Sequence, residues 1–320
     1  MREFPFELAV CSALEAESDG IVARQLGTRD RIVDVVELRP GPEFETRPAI
    51  TAESLPPLAI ESDVSVGTAR YWKDAIDDPD GRGREAVERA IELGFFEAER
   101  RNGRRYVRQT VRYPDWVGGI RAIENKPDLG RPGDLELQLR KDVSLALFDE
   151  VVLVTASYVT GAHLNRIPEP VGVVRFDPEA GDRETIRDPE RLPVEETGIA
   201  VRDVGPTRAD VEPIGADEKA RLRRRIGERA YGKGWRPRGF PNCAKVERGG
   251  PAFRTDDALP YCGWKERLVD PTRECGVDCQ GHDPANPPAV DVDAHRAART
   301  PWEPDPVGTE RRQVGLDFYS

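Results

Sequence analysis

Tyr113-Pro114-Asp115-Trp116-Val117-Gly118-Gly119-Ile120-Arg121-Ala122-Ile123-Glu124-Asn125-Lys126 is the stretch from which the rest of the chain can be ordered. Ile120 and Ile123 make its second half an apolar strand, and successive side chains on a strand point to opposite faces. Glu124 and Lys126 therefore project together while Asn125 turns away. An acid beside an amine is often only a surface ion pair. Here the two close an apolar strand instead of lying along a polar helix, which favours a functional pair.

Two aspartates compete to complete it. Gly118-Gly119 reads as a two-residue hairpin turn, pairing 117 with 120 and 115 with 122. Asp115 then shares a face with Ala122 and lies diagonally about 7–8 Å from Glu124, within reach of one ion. The rival is Asp34, inside Arg31-Ile32-Val33-Asp34-Val35-Val36-Glu37-Leu38. An acid between valines needs a partner or a metal, because an unpaired buried charge is expensive; the plain alternative is an alternating strand with Asp34 on its wet face. Mg²⁺ takes a few carboxylates, waters and phosphate oxygens, so Glu124 with Asp34, Asp115 or both is a candidate metal set.

Outward from this stretch, helix-spaced Phe6, Val10 and Leu14 predict a helix over 5–16, followed by strands at 21–26 and 31–38 that end at Arg39-Pro40-Gly41-Pro42. A Pro-Pro break at 56–57 precedes a helix over 84–99. Asn102-Gly103 between two charged strands then signals a hairpin. Helix plus small hairpin has the look of a winged helix, a module that binds DNA or serves as a packing insert. After Lys126 come a polar loop, a helix over 135–148, an apolar strand at 150–157 and a short strand at 171–177. Alternating strands and helices predict an α/β fold, a mixed sheet flanked by helices. The division expected is an α/β domain over 1–177 with an insert at about 45–112, a linker or surface excursion over 178–215, and a C-terminal module over 216–320.

Only 7 of the 48 basic residues are lysine, Asp and Glu number 59, and the net charge is −11. This balance resembles proteins of salt-loving archaea, whose excess carboxylates keep them dissolved in concentrated salt. It leaves a nucleic-acid partner open, because local basic patches matter more than the sum. No apolar run reaches about 18 residues, so no membrane span is expected. The N-terminus lacks the pattern of a signal peptide, and a cytoplasmic location is the default expectation.

The arrangement around Glu124-Asn125-Lys126 resembles the PD-(D/E)xK nuclease superfamily over roughly residues 1–177, and the chain also resembles a haloarchaeal family sharing these segments. The superfamily resemblance implies a restriction-endonuclease-like α–β–β–β–α–β core, in which an acid on the second strand and an acid-x-lysine on the third bind metal and prepare a water. Pro114-Asp115 matches the first half literally and Glu124-Asn125-Lys126 the second. Gln138, with Asp142 one turn on, matches a Gln often found on the next helix, and Glu7 a frequent acid on the first. The eight residues between Asp115 and Glu124 are fewer than the family usually has; with Asp34 as the acid, the middle of the chain becomes an insertion. The resemblance implies Mg²⁺ (or Mn²⁺) and phosphodiester hydrolysis in DNA, RNA being the lesser candidate. The same fold can also serve a non-catalytic DNA-binding or regulatory protein.

Residues 216–238 concentrate basic side chains, and Lys219, Arg221, Arg223, Arg224, Arg225, Arg229 and Lys233 are expected to neutralise phosphates. A solvated helix face is the alternative. Cys243, Cys262, Cys275 and Cys279, with 18, 12 and 3 residues between successive members in a Pro- and Gly-rich segment, are expected to hold Zn²⁺, with an iron–sulfur cluster as the competitor. His282 could replace one of them. Cys11 reads as packing.

Overall fold

The computed structural model describes residues 2–28, 32–131, 133–205, 207–237, 239–249 and 258–306. The chain opens with helix α1 (Glu3–Glu17), then strands β1 (Ile21–Gly27) and β2 (Ile32–Pro40). A small module follows: α2 (Pro57–Ile60), β3 (Arg70–Tyr71), α3 (Trp72–Ala75), α4 (Gly83–Glu92), β4 (Phe96–Arg101) and β5 (Arg104–Gln109). The chain then returns to the main body through β6 (Val117–Asn125), α5 (Leu135–Leu145), β7 (Glu150–Thr155), α6 (Gly161–Leu164), β8 (Gly172–Asp177) and β9 (Asp182–Arg187). A β10–β11 hairpin (Gly198–Val204, Ala209–Ile214), the long α7 (Ala216–Lys233), short strands β12 (Val246–Arg248), β13 (Pro260–Cys262) and β14 (Arg267–Leu268), and short helices α8 (Pro271–Glu274) and α9 (Val292–Ala297) follow.

Among the described residues the main sheet has six strands in the order β1-β2-β6-β7-β8-β9. β1, β2 and β6 pair antiparallel, β6, β7 and β8 parallel, and β9 antiparallel to β8. The parallel steps are those bridged by α5 and by the α6 segment, because a parallel return needs a crossover. Val22, Val35, Ile123 and Val152 pack against Phe6, Val10 and Leu14 of α1. On the opposite face Ala23, Val36, Ala122 and Leu153 meet Leu139 of α5 and Leu222 and Ile226 of α7. The result is a mixed α/β sheet with helices on both sides.

The module has its own core around Val87, Ala90, Phe95, Phe96 and Val107. Its strands order as β3-β5-β4, and the expected hairpin forms. Asn102 (φ 51°) and Gly103 (φ 76°) both adopt the left-handed backbone that a tight hairpin requires.

Three expectations fail here. Gly118-Gly119 is not a turn. Both glycines lie inside β6, where Arg39 pairs with Gly119 and Pro40 with Val117, leaving Gly118 as the extra residue of a bulge. A Cβ on Gly118 would stand 2.3 Å from the Pro40 carbonyl oxygen, so glycine answers a close backbone approach, not a chain reversal. Residues 178–215 are not a linker, since β9 joins the main sheet and β10 packs against α5. Nor does 216–320 begin a separate module: α7 packs on β1 and β6.

Candidate functional site

The β2–β6 ladder ends at Val35 opposite Ile123, so Asp34 and Glu124 are the residues one step beyond its last pair. Asp34 Oδ2 accepts the main-chain N–H of Asn125 at 3.0 Å, which holds the aspartate against the Glu124-Asn125-Lys126 segment. Asp115 is at the other end. It precedes the start of β6, and the seven steps from Val117 to Glu124 along the strand already span roughly 20 Å at about 3.3 Å per residue. The shared site expected of Asp115 and Glu124 is therefore corrected. Asp115 is exposed, and its N–H donates to Glu43 at 2.6 Å.

On the neighbouring strand the β1–β2 ladder pairs Arg24 with Val35 and Leu26 with Val33, skipping Gln25 and Asp34. Gln25 has φ 53°, a conformation costly for a residue with a long side chain. The distortion directs its amide to two acids: Nε2 donates to Glu7 Oε2 at 2.7 Å and to Asp34 Oδ1 at 3.3 Å. One amide thus joins the α1 acid to the β2 acid. Arg24 also donates to Glu7 at 2.8 Å and to the Trp235 carbonyl at 2.7 Å, while Lys233 Nζ donates to the Gln25 carbonyl at 2.6 Å. The end of α7 braces the irregular turn of β1 from outside. Nothing in the local sequence of Gln25 signals this role.

Burial raises the Glu7 carboxyl above its usual range and the Asp34 charge pushes the same way, while Arg24 and Gln25 oppose them. Glu124 is buried. Asn125 is buried too, and its side-chain oxygen and nitrogen have no hydrogen-bond partner among the described residues. Lys126 Nζ forms an ion pair with Glu3, one turn before Glu7 on α1, at 2.7 Å. Gln138 is half-buried on α5, near the buried Leu135, Leu139 and Asp142 that face the sheet.

The expectation for the basic helix is corrected at Lys219, and most of its other cations have partners within the protein. Lys219 is fully buried, its Nζ donating to the carbonyls of Pro193 (3.0 Å) and Glu196 (2.8 Å), so no phosphate can reach it. Arg223 donates to Leu147 O at 2.8 Å and to Asp149 at 2.7 Å. Arg225 is ion-paired with Glu61, with Arg221 at 4.0 Å from the same acid. Arg229 donates to Gly27 O and Lys233 to Gln25 O. Arg224 lines a cleft with Arg112, Asp115 and Arg191. Apart from Arg224, these cations fasten α7 to its neighbours.

Behind them lies a buried pair. Arg47 and Glu228 meet through two hydrogen bonds of 2.8 and 2.7 Å, and Glu228 also accepts from Tyr113 Oη and the Leu55 N–H. This ties the root of the module to α7.

Residues 21–284 match a family of unknown function, DUF5787. The chain belongs to that family. No curated protein and no solved structure matches it. The DUF5787 span takes in Gln25, Asp34, Glu124, Lys126 and all four C-terminal cysteines, and leaves Glu3 and Glu7 of α1 outside.

All five cysteines are free thiols; Cys11, Cys243 and Cys262 are buried, Cys275 and Cys279 half-buried. Cys262 faces Val246 across the β12–β13 ladder, and Cys243 bridges to Pro284. Burial, together with neighbouring Cys262 and Cys279, pushes the Cys275 thiol up to about 11 against the pull of Lys265. Among the described residues no three His, Cys, Asp or Glu side chains are gathered as a metal cage. No helix among them is long and apolar enough to cross a membrane.

Proposed function

We propose that this protein is a divalent-metal-dependent nuclease of the PD-(D/E)xK kind, hydrolysing phosphodiester bonds in DNA. One observation carries the reading: Asp34 accepts the N–H of Asn125, so the second-strand acid meets the acid-x-lysine of the third strand. The order α1, β1, β2, β6, α5, β7, with two antiparallel steps and then a parallel one, is the order that resemblance implies once the module is an insertion. Asp34, not Asp115, is then the second-strand acid.

The residues present fit a magnesium ion. Mg²⁺ keeps most of its waters and needs only one or two carboxylates, and Asp34 and Glu124 would supply two. A cation would also offset the charge of Asp34 on Glu7, whose carboxyl is raised first by burial and then by that charge. When bound, Mg²⁺ or Mn²⁺ supplies a Lewis acid that lowers the pKa of water and offsets phosphate charge. Gln25 orients both Asp34 and Glu7 through its amide. Lys126 holds the attacking water and meets the negative charge that builds on the phosphate. Its present partner Glu3 is exposed, and such a pair is worth only about 0–1 kcal/mol, so the amine is released at small cost.

The test is Mg²⁺-dependent cleavage of plasmid DNA by the full chain, with Glu124→Ala and Lys126→Ala beside it. The reading requires cleavage that both substitutions abolish while DNA binding survives. A non-catalytic DNA-binding protein is the second reading, favoured by the use of Glu7 on Arg24 and of Lys126 on Glu3; it expects no cleavage by the parent. For the four cysteines the reading is a structural Zn²⁺, with an iron–sulfur cluster as its rival. A Cys275 thiol held near 11 must shed its proton on binding, so metal content should rise with pH.

The module carries the helix–strand–helix–helix–hairpin order of a winged helix, which we include in the proposal as an inserted DNA-contacting element.

A further inference from the structure

We propose that the tip of the β4–β5 hairpin docks on the phosphate backbone of duplex DNA. From residue 100 to 113 the chain has six arginines and no acid, in a protein of net charge −11. The hairpin register sets Arg100 opposite Arg105 and Arg101 opposite Arg104. Like charges directly across a ladder destabilise it, and here two such pairs follow one another at an exposed turn. A polyanion laid on the tip reverses the sign of that interaction.

The tip keeps its guanidiniums available. Arg101 pairs with Glu99 and Arg105 with Glu88, but these pairs lie largely in water and are weak enough for phosphate to displace. Arg100 and Arg104 have no carboxylate partner among the described residues. Arg104 lies over the Tyr71 ring at 5.5 Å and Arg101 over Tyr106 at 5.1 Å, which holds both groups in fixed planes. The cations of α7 behave oppositely, spending themselves on internal carbonyls and carboxylates.

Duplex DNA is the polyanion that fits. It carries one charge per about 1.7 Å of axis, denser than an acidic peptide, and its condensed counterions are released when arginines replace them. The guanidinium fork matches phosphate oxygens, and a two-stranded ribbon has the width of the major groove. The module leaves the main sheet after β2 and returns before β6, at the opposite end of that ladder from Asp34 and Glu124. The hairpin can therefore be altered without touching the carboxylates. The inference rests on the proposed reading of the module as a DNA-contacting element and names the part of it that makes the contact; it does not depend on hydrolysis.

Binding of the full chain to a short labelled duplex, followed by anisotropy in EDTA across a KCl series, tests it. EDTA makes the result independent of cleavage: a protein that never hydrolyses DNA can still pass. Replacing Arg100, Arg101, Arg104 and Arg105 together by Ala should weaken binding at least about tenfold and reduce the slope of log affinity against log salt by about 3–4. The four-Lys version should keep the slope, and Arg104→Glu alone should lower it by about 1 or more, which covers the case where the four-Ala chain fails to fold. Unchanged affinity and slope in Arg104→Glu or in a folded four-Ala variant would overturn the inference. Displacement of the duplex by polyglutamate at equal charge concentration would overturn it too.

Discussion

At one end of the ladder between β2 and β6, Asp34 receives the Asn125 N–H and shares the Gln25 amide with Glu7. At the other end, Pro40 lies against Val117 across a bulge, and Asp115 sits exposed beyond it with its N–H on Glu43. Both ends carry an aspartate near a proline, a glycine or a valine, and local sequence hardly separates them. What separates them is the neighbouring strand. β1 pairs alongside β2 and delivers Gln25 and the α1 acid to the first end, whereas the second end opens into the module and is held by Arg47 and Glu228. The proposed chemistry falls where three elements converge, and a buried ion pair stands where the chain leaves and re-enters the sheet.

The largest expected effect is on activity. Asp34→Ala should take Mg²⁺-dependent DNA cleavage to background, while Asp115→Ala should stay within about twofold of the parent; Lys126→Met should lower kcat by about 10²–10³ with DNA affinity kept. Gel assays on the three purified variants check this, and equal losses in Asp34→Ala and Asp115→Ala would erase the contrast between the two ends. Next in size is Glu228→Ala. It leaves Arg47 buried without its carboxylate and should cost about 3–5 kcal/mol in urea unfolding, since both side chains are almost wholly enclosed. A smaller loss, about 1–3 kcal/mol, is expected of Gly118→Ala, whose new methyl meets the Pro40 carbonyl and must push β2 from β6 at the module end.

The smallest effect belongs to Glu7. Its carboxyl is raised in the folded protein, so the native state holds the proton more tightly than the unfolded chain, where the usual value is 4.5. Stability contributed by the protonated form is present below 4.5 and is lost as pH rises through the elevated folded value. Urea midpoints of Glu7→Gln should therefore fall less than those of the parent over that rise. Glu274 runs the other way. Held down to about 2 chiefly by Arg267, it contributes stability above 4.5 that disappears as pH falls toward 2, and Glu274→Gln should blunt that acid limb.

Much of the frame was legible because it rests on apolar periodicity. The first helix, the Val- and Ile-rich strands and the Asn102-Gly103 turn each follow from a local pattern whose physical cause acts locally. Gly118-Gly119 misled because glycine serves a tight turn and a close backbone approach equally well, and only the partner strand says which. The strands between 178 and 215 escaped notice because Asp182–Arg187 is a polar edge strand with no buried alternation to read. The cations of α7 announced phosphate binding by composition, yet their carbonyl and carboxylate partners lie far away in sequence: Lys219 reaches Pro193, and Lys233 reaches Gln25. Gln25 itself was invisible, since its importance comes from a left-handed backbone that no neighbouring residue demands.

Titration of the full chain with Mn²⁺, read by electron paramagnetic resonance of the free ion, reaches the heart of the matter without depending on turnover. The parent and Asp115→Asn should take up the ion, while Asp34→Asn and Glu124→Gln should leave it in solution. Uptake by Asp34→Asn equal to the parent's, or its loss in Asp115→Asn alone, would contradict a divalent site between β2 and β6.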